Sequence, residues 1–209
     1  MIAIIDYGVG NLRSVEKALL YLGFNAIVTA EPKVVLEAEK VVLPGVGAFG
    51  KSMESLKQAG MIPVVKEVIR SGRPFLGICL GLQMLFEASA EVFGDQECVN
   101  AGLGIFPGRV LRFPITDLKV PQIGWNQIKK SHTREETPLL YGVPDGSFVY
   151  FVHSYYVKPE NPEIVACTTD YGLEYCSGVS WGNINAFQFH PEKSSGVGLR
   201  ILKNFGELK

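Results

Sequence analysis

The chain has 209 residues, enough for one domain (residues 1–209) with a sizeable core, and its 47% hydrophobic and 20% charged content is ordinary for a globular protein. A formal net charge of −1 gives no electrostatic case for nucleic acid or an anionic membrane as partner. No apolar run approaches the roughly 20 residues that span a bilayer; the four cysteines, Cys79, Cys98, Cys167 and Cys176, form no C-x-x-C pair, so no disulfide framework or zinc site is expected and a reducing, cytoplasmic compartment fits. Separately, no other metal and no cofactor is expected.

Residues 2–5, Ile-Ala-Ile-Ile, read as a first strand, without the basic flank of a signal peptide. Leu12, Val15, Leu19 and Leu22 recur at helical spacing, and Gly23 is a stop. Residues 26–28 and 41–43 read as the second and third strands. The third runs into L-P-G-V-G-A-F-G, where Gly45, Gly47 and Gly50 fit G-x-G-x-x-G, the dinucleotide fingerprint. Residues 52–69 suggest a helix, with Pro63 as the point at which it would break. Phe75-Leu-Gly-Ile-Cys79 is a buried strand, and Leu82, Leu85 and Phe86 begin the helix after it. The second half is β-rich. Residues 109–113, 124–129, 148–157, 164–169 and 178–189 read as strands, separated by turn signals such as Pro144-Asp-Gly146 and Gly182-Asn183. The mixed-charge stretch 129–136 reads as a solvated loop, and residues 198–208 as a last helix. Strands alternating with helices imply an α/β fold: a central, mostly parallel sheet flanked by helices, with added antiparallel strands.

The sharpest chemical signal is Gly77-Ile-Cys79-Leu-Gly81, at the junction of a strand and a helix. G-x-C-x-G has the form of a nucleophile elbow with cysteine in place of serine. A nucleophile in so sharp a turn needs bare neighbours, so that the chain can pack closely around it. The turn lifts the thiol to a helix N-terminus, which favours negative charge, and frees the Leu80 N–H for a developing oxyanion. The alternative, a buried core cysteine, does not explain glycines on both sides.

A cysteine nucleophile needs a base, and there are three histidines. His132 lies in the charged loop. His153 sits in a strand with apolar residues on both faces, where a satisfied structural histidine is a fair reading. His190 ends Ala186-Phe-Gln-Phe189 and is followed by Pro191-Glu192. Residues two apart in extended chain project to one side. Glu192 is therefore placed to hydrogen-bond one ring nitrogen and aim the other at a thiol.

Gly77-Ile-Cys-Leu-Gly-Leu-Gln83 and Phe189-His-Pro-Glu-Lys193 resemble the two signature motifs of class I glutamine amidotransferases. The resemblance runs nearly end to end, and it implies a Cys79–His190–Glu192 triad that releases ammonia from glutamine. Asp6-Tyr-Gly-Val-Gly-Asn-Leu12, Pro44-Gly-Val-Gly-Ala-Phe-Gly50, Gly124-Trp-Asn126 and Tyr150-Phe-Val-His-Ser-Tyr-Tyr156 are similar to the glutaminase subunits of imidazole glycerol phosphate synthases of histidine biosynthesis. Glutaminases that serve anthranilate or aminodeoxychorismate synthesis are the alternative within the family. Gln122 departs from the pattern, standing where many relatives have histidine.

The resemblance implies further roles. A backbone N–H of Gly45-Val46-Gly47, that of Val46, joins Leu80 in the oxyanion hole. Gly47, Gln83, Ser154 and Tyr155 line the glutamine pocket, and Glu91 binds the α-amino group. For Ser154 and Tyr155 ordinary strand packing remains a competing account. Ammonia that escapes to water becomes ammonium, which is no nucleophile, so a docked synthase is implied: a (β/α)8-barrel cyclase forming a heterodimer, with Asn11, Tyr150 and Lys193 near the junction.

Three rivals compete. A nicotinamide or flavin enzyme would need an acidic ribose partner at the end of the strand after the glycines, and that strand ends in Ile78-Cys79. A cysteine peptidase or stress protein on a similar scaffold does not account for Gln83 and His-Pro-Glu. A non-catalytic subunit does not account for a complete triad.

Overall fold

The computed structural model describes residues 1–91, 100–114, 118–131 and 137–209. Cys98 and His132 fall outside the described residues.

Four short strands from the first half, β1 (Ile2–Ile5), β2 (Ala26–Thr29), β3 (Lys40–Gly45) and β4 (Phe75–Cys79), pair parallel in the order β2-β1-β3-β4. They are mostly apolar, with Thr29 and Lys40 at strand ends, because both of their faces are covered. Ala3, Ile5, Val41, Leu43 and Phe75 pack into one core, with Val35, Leu56, Met61 and Val65. Their alternates Ile2, Ile4, Val42, Leu76 and Ile78 pack into a second core, with Val15, Leu19, Ile201 and Phe205. The helices are thereby sorted. Helices α1 (Leu12–Tyr21) and α6 (Ser195–Glu207) supply one face; α2 (Pro32–Glu37), α3 (Phe49–Gln58) and α4 (Met61–Arg70) supply the other. The four-residue helix α5 (Leu80–Gln83) follows β4 directly.

The remaining strands are β5 (Phe86–Ser89), β6 (Asn100–Ala101), β7 (Phe106–Arg112), β8 (Gln122–Gln127), β9 (Lys129–Lys130), β10 (Phe148–His153), β11 (Tyr155–Pro159), β12 (Val165–Asp170), β13 (Glu174–Trp181) and β14 (Ile184–Phe187). The sheet continues from β4 as β14-β13-β11-β7-β5-β6, with β12 paired to β13 and carrying β9. Strand β14 is parallel to β4, β5 is parallel to β7, and the other pairs are antiparallel. Strands β8 and β10 form a separate antiparallel pair. Among the described residues, no helix is long and apolar enough to cross a membrane.

Several local expectations are corrected. The helix expected over residues 52–69 is two helices, and the break falls at Gly60 (φ +68°), not at Pro63. Pro63 sits in the first turn of α4, where its missing N–H costs no helical hydrogen bond. The helix after Cys79 ends at Gln83, and Phe86 opens strand β5 instead. The Phe86 ring is wholly buried against Phe106. The expected strand over 148–157 divides at Ser154, where the chain leaves β10 and enters the main sheet as β11. The strand over 178–189 is a hairpin turning at Gly182-Asn183. The stretch 129–136 contributes strand β9 before residue 131. Helix α2, opened by Pro32, has too few apolar residues for a periodic signal.

Candidate active site

Cys79 is the last residue of β4 and the first before α5, and its backbone takes φ +55° and ψ −110°. A non-glycine residue reaches positive φ at a cost, and such strain persists where the surroundings enforce it. The enforcing contacts are glycines. A Cβ on Gly81 would fall 1.9 Å from the Leu43 carbonyl oxygen, and one on Gly77 would fall 2.9 Å from the Ala186 Cβ. The two bare positions let α5 lie directly on β3 and β14. The helix that follows the thiol is a single turn, shorter than expected, so its dipole is correspondingly short.

Parallel pairing of β14 with β4 sets Phe187 against Ile78, and the chain leaving β14 therefore delivers His190 beside Cys79. His190 Nδ1 lies 2.8 Å from Glu192 Oε1; the two meet through the 3₁₀ turn Pro191–Lys193, which starts right after His190, and not along the extended chain expected from the sequence. Both side chains are buried, with 2% and 0% exposure. The same carboxylate oxygen accepts a 3.1 Å bond from Asn11 Nδ2. Asn11 precedes α1 but does not cap it; its amide goes to Glu192 and its carbonyl oxygen accepts from Ser14 Oγ. His190 Nε2 has no hydrogen-bond partner among the described residues. Burial pulls the His190 imidazole down, but the Cys79 and Glu192 side chains outweigh it and push it from 6.5 up to about 10. The carboxylate and the thiol group on its two sides thus favour the charged ring despite burial.

Cys79 and His190 open on a cavity of about 270 Å³. Val46, Gly47, Leu80, Gln83, Glu91, Ser154 and Tyr155 line it. Gly47 takes φ +90°, a conformation glycine adopts freely. The Gln83 amide donates to the Tyr155 carbonyl at 3.0 Å and to Gln188 Oε1 at 2.9 Å. Glu91 accepts a short hydrogen bond from the Phe49 N–H at the start of α3. Glu192 stands behind His190 and does not line the cavity. Tyr150 and Lys193 lie outside it as well, with the Lys193 ammonium 5.8 Å from the Tyr150 ring centre.

Pro121 and Val152 also line the cavity, as does His153, read from the sequence as a structural histidine, and Gln188 stands beside Cys79. Gln188 is wholly buried with its amide nitrogen 3.6 Å from Cys79 Sγ; it lies just past the end of β14, two residues before His190. His153 is buried, with Nδ1 2.8 Å from the Tyr155 carbonyl and Nε2 3.2 Å from the Tyr175 hydroxyl. The Nδ1–H donates to that carbonyl, and the Tyr175 hydroxyl beside Nε2 gives its own proton to Gln122 Oε1. Gln122 has a use for both ends of its amide: the oxygen accepts from the Tyr175 hydroxyl and the nitrogen donates to Asn126 Oδ1.

Residues 3–207 match the family model described as Glutamine amidotransferase class-I. The imidazole glycerol phosphate synthase subunit HisH of Geobacter sulfurreducens is 54% identical over 214 residues, covering 100% of this chain and 99% of that protein. The subunit of the same name from Bacillus cereus is 49% identical over 205 residues, covering 98% and 93%. Among solved structures, a glutamine amidotransferase crystal structure superposes with a TM-score of 0.73 over 100% of both chains, at 17% identity. PurLQS from Thermotoga maritima gives 0.68 over 98% and 94%, also at 17% identity, and both of these likenesses show the fold alone. A family model spanning nearly the whole length and relatives about half identical end to end agree that this chain belongs to the class-I glutamine amidotransferases, among the HisH subunits of imidazole glycerol phosphate synthase.

Proposed function

We propose that this chain hydrolyses glutamine to glutamate and ammonia through Cys79, His190 and Glu192, and delivers the ammonia to a (β/α)8-barrel cyclase that forms imidazole glycerol phosphate and aminoimidazole carboxamide ribotide. The observation that carries the reading is a thiol on a strained elbow, in a cavity, beside a histidine whose far nitrogen is held by a buried carboxylate. The Cys79 thiolate attacks the carboxamide carbon. The oxygen of the tetrahedral intermediate gains charge, which the N–H groups of Leu80 and Val46 stabilise; one such donor is worth roughly 10²–10³ in rate in other acyl-transfer sites. His190 gives its proton to the departing ammonia, then takes one from the water that cleaves the thioester. Glu192 holds the ring in register and stabilises its charged form. Gly47, Gln83, Ser154 and Tyr155 bind the glutamine, with Glu91 on its α-amino group. Relatives named for imidazole glycerol phosphate synthase favour that partner over an anthranilate or aminodeoxychorismate synthase.

The Val46 donor is conditional. Glycines on both sides of Val46 allow its preceding peptide to turn, aiming the N–H at the oxyanion or away. Substrate on the partner then switches hydrolysis on. Co-purification with the cyclase, followed by a glutamine-dependent synthesis assay, tests the pairing; Cys79→Ala is expected to abolish synthesis from glutamine and spare synthesis from added ammonia. Glutamine turnover is expected to rise when cyclase and its nucleotide ligand are present. Equal turnover under all conditions would remove the switch.

A further inference from the structure

Tyr7 follows β1, in a segment whose only assigned residue is Asn11, and the chemistry above does not use it. Its side chain is buried, 4% exposed, and its hydroxyl donates a 2.9 Å hydrogen bond to the Pro44 carbonyl. Pro44 and Gly45 end β3, in register with Ile78 and Cys79 of β4. A Cβ on Gly45 would meet the Tyr7 hydroxyl oxygen at 2.8 Å and the Leu80 Cβ at 2.9 Å. Bare Gly45 is thus wedged between the phenol and the residue after the nucleophile. Ser52, 1% exposed on α3, points its hydroxyl at the Val46 carbonyl at 3.5 Å, the outer limit of such a bond, and its single proton serves either that oxygen or the Tyr7 phenol beside it.

These contacts fall on the peptides that flank one bond. The Pro44 carbonyl belongs to the Pro44–Gly45 peptide, and the Val46 carbonyl to the Val46–Gly47 peptide. Each peptide unit is planar, so holding its oxygen holds its plane. With its flanks held, the Gly45–Val46 unit between them turns only as a crankshaft about the axis through the Gly45 and Val46 Cα atoms. We propose that Tyr7, backed by Ser52, is a positioning residue that fixes that axis, and so sets where the Val46 N–H points when the peptide is turned toward the oxyanion. The proposal rests on the reading of Val46 as an oxyanion donor. Burial, and next the nearby Cys79 charge, push the Tyr7 phenol well above its usual range. Tyr7 therefore remains a protonated donor at working pH and carries no proton in the reaction.

Tyr7→Phe keeps the ring and removes the hydroxyl. In complex with the cyclase, its kcat for glutamine hydrolysis is expected to fall roughly tenfold, as for a small misplacement of a catalytic group. KM should move by less than about twofold, because ground-state binding is untouched. Alkylation of Cys79 by iodoacetamide builds no oxyanion, so its rate should stay the same. Ser52→Ala should show the same pattern more weakly, and it carries the test if Tyr7→Phe unfolds. Unchanged kcat in both variants would overturn the proposal, as would a parallel loss of alkylation, which would place Tyr7 on the thiol. Val46→Pro deletes the donor itself: full activity there would end the donor reading, whereas loss there with normal Tyr7→Phe would end this proposal alone.

Discussion

Two buried histidines border one cavity, and their surroundings drive them apart. His190 has a carboxylate on one nitrogen and a thiol facing the other, and despite burial it is pushed up to about 10. His153 has a carbonyl and a phenol as partners; burial dominates, its carbonyl bond offsets only part of this, and the charge of His190 adds to the fall, leaving it at about 4. A carboxylate partner compensates a charge, and neutral dipoles do not do so fully. Linkage fixes the sign of each effect on stability. The His190 contribution is complete below its ordinary 6.5 and fades as pH rises toward about 10. The His153 contribution is complete above its ordinary 6.5 and is lost as pH falls toward about 4. Imidazole resonances followed by NMR in the free chain should show His190 charged at neutral pH and His153 neutral. Cys79→Ala should lower the His190 midpoint, because it removes one of the two groups holding the charge. A His190 midpoint near 6.5 in the unmodified chain would contradict an imidazole held charged by its two neighbours.

At the scale of the element, the nucleophile turn is made by what is missing from it. Gly81→Ala would drive a methyl into the Leu43 carbonyl, a backbone atom that cannot rotate away. The cost should be about 3 kcal/mol, or a fall of roughly 6–12 °C in Tm for a chain of this size. Gly196→Ala, in helix α6 with open space around the added methyl, should leave Tm unchanged or raise it, and thermal unfolding of the two variants makes the comparison. The spacing of Gly77, Cys79 and Gly81 made this turn legible in the sequence because its requirement is local. His190 and Glu192 were legible for the same reason, two residues apart at the end of an apolar run. Elements whose fate depends on distant chain were not. Phe86 continues a helical apolar pattern, yet it forms a strand because β7 offers a parallel partner and Phe106 a ring to pack on. The run from Phe148 to Val157 is continuous in propensity, and only the presence of two sheets divides it at Ser154. Pro63 looked like the helix breaker, but Gly60, with its left-handed conformation, ends one helix and admits the next.

Across the whole molecule, the sheet brings distant segments to one cavity and leaves a second, smaller sheet beside it. Strands β8 and β10 pair Trp125 with Tyr150 and Ile123 with Val152, and opposite residues in an antiparallel pair share a face. That face shows Ile123 and Trp125 at 62% and 47% exposure, with Phe148 at 54% at the end of the pair. Trp125 meets Tyr150 edge to face, and Lys193 lies over the other ring of that pair. The backbone ties this sheet to His190: the His190 N–H donates to the Tyr150 carbonyl at 2.9 Å, and Ser194 Oγ, 2.9 Å from the Tyr150 nitrogen, donates in turn to the His190 carbonyl. Exposed aromatics grouped on a rigid sheet are the anchors that protein interfaces use. A cyclase docked here would therefore touch the residue that holds His190 by its backbone. Trp125→Glu places a charge in the middle of the patch without entering the cavity. Co-purification with the cyclase should fall by at least tenfold, the loss expected of a buried anchor. Iodoacetamide labelling of Cys79 in the free variant should proceed at the unmodified rate. Retained pairing would move the docking surface elsewhere, and slowed labelling would show that the sheet shapes the active site even without a partner.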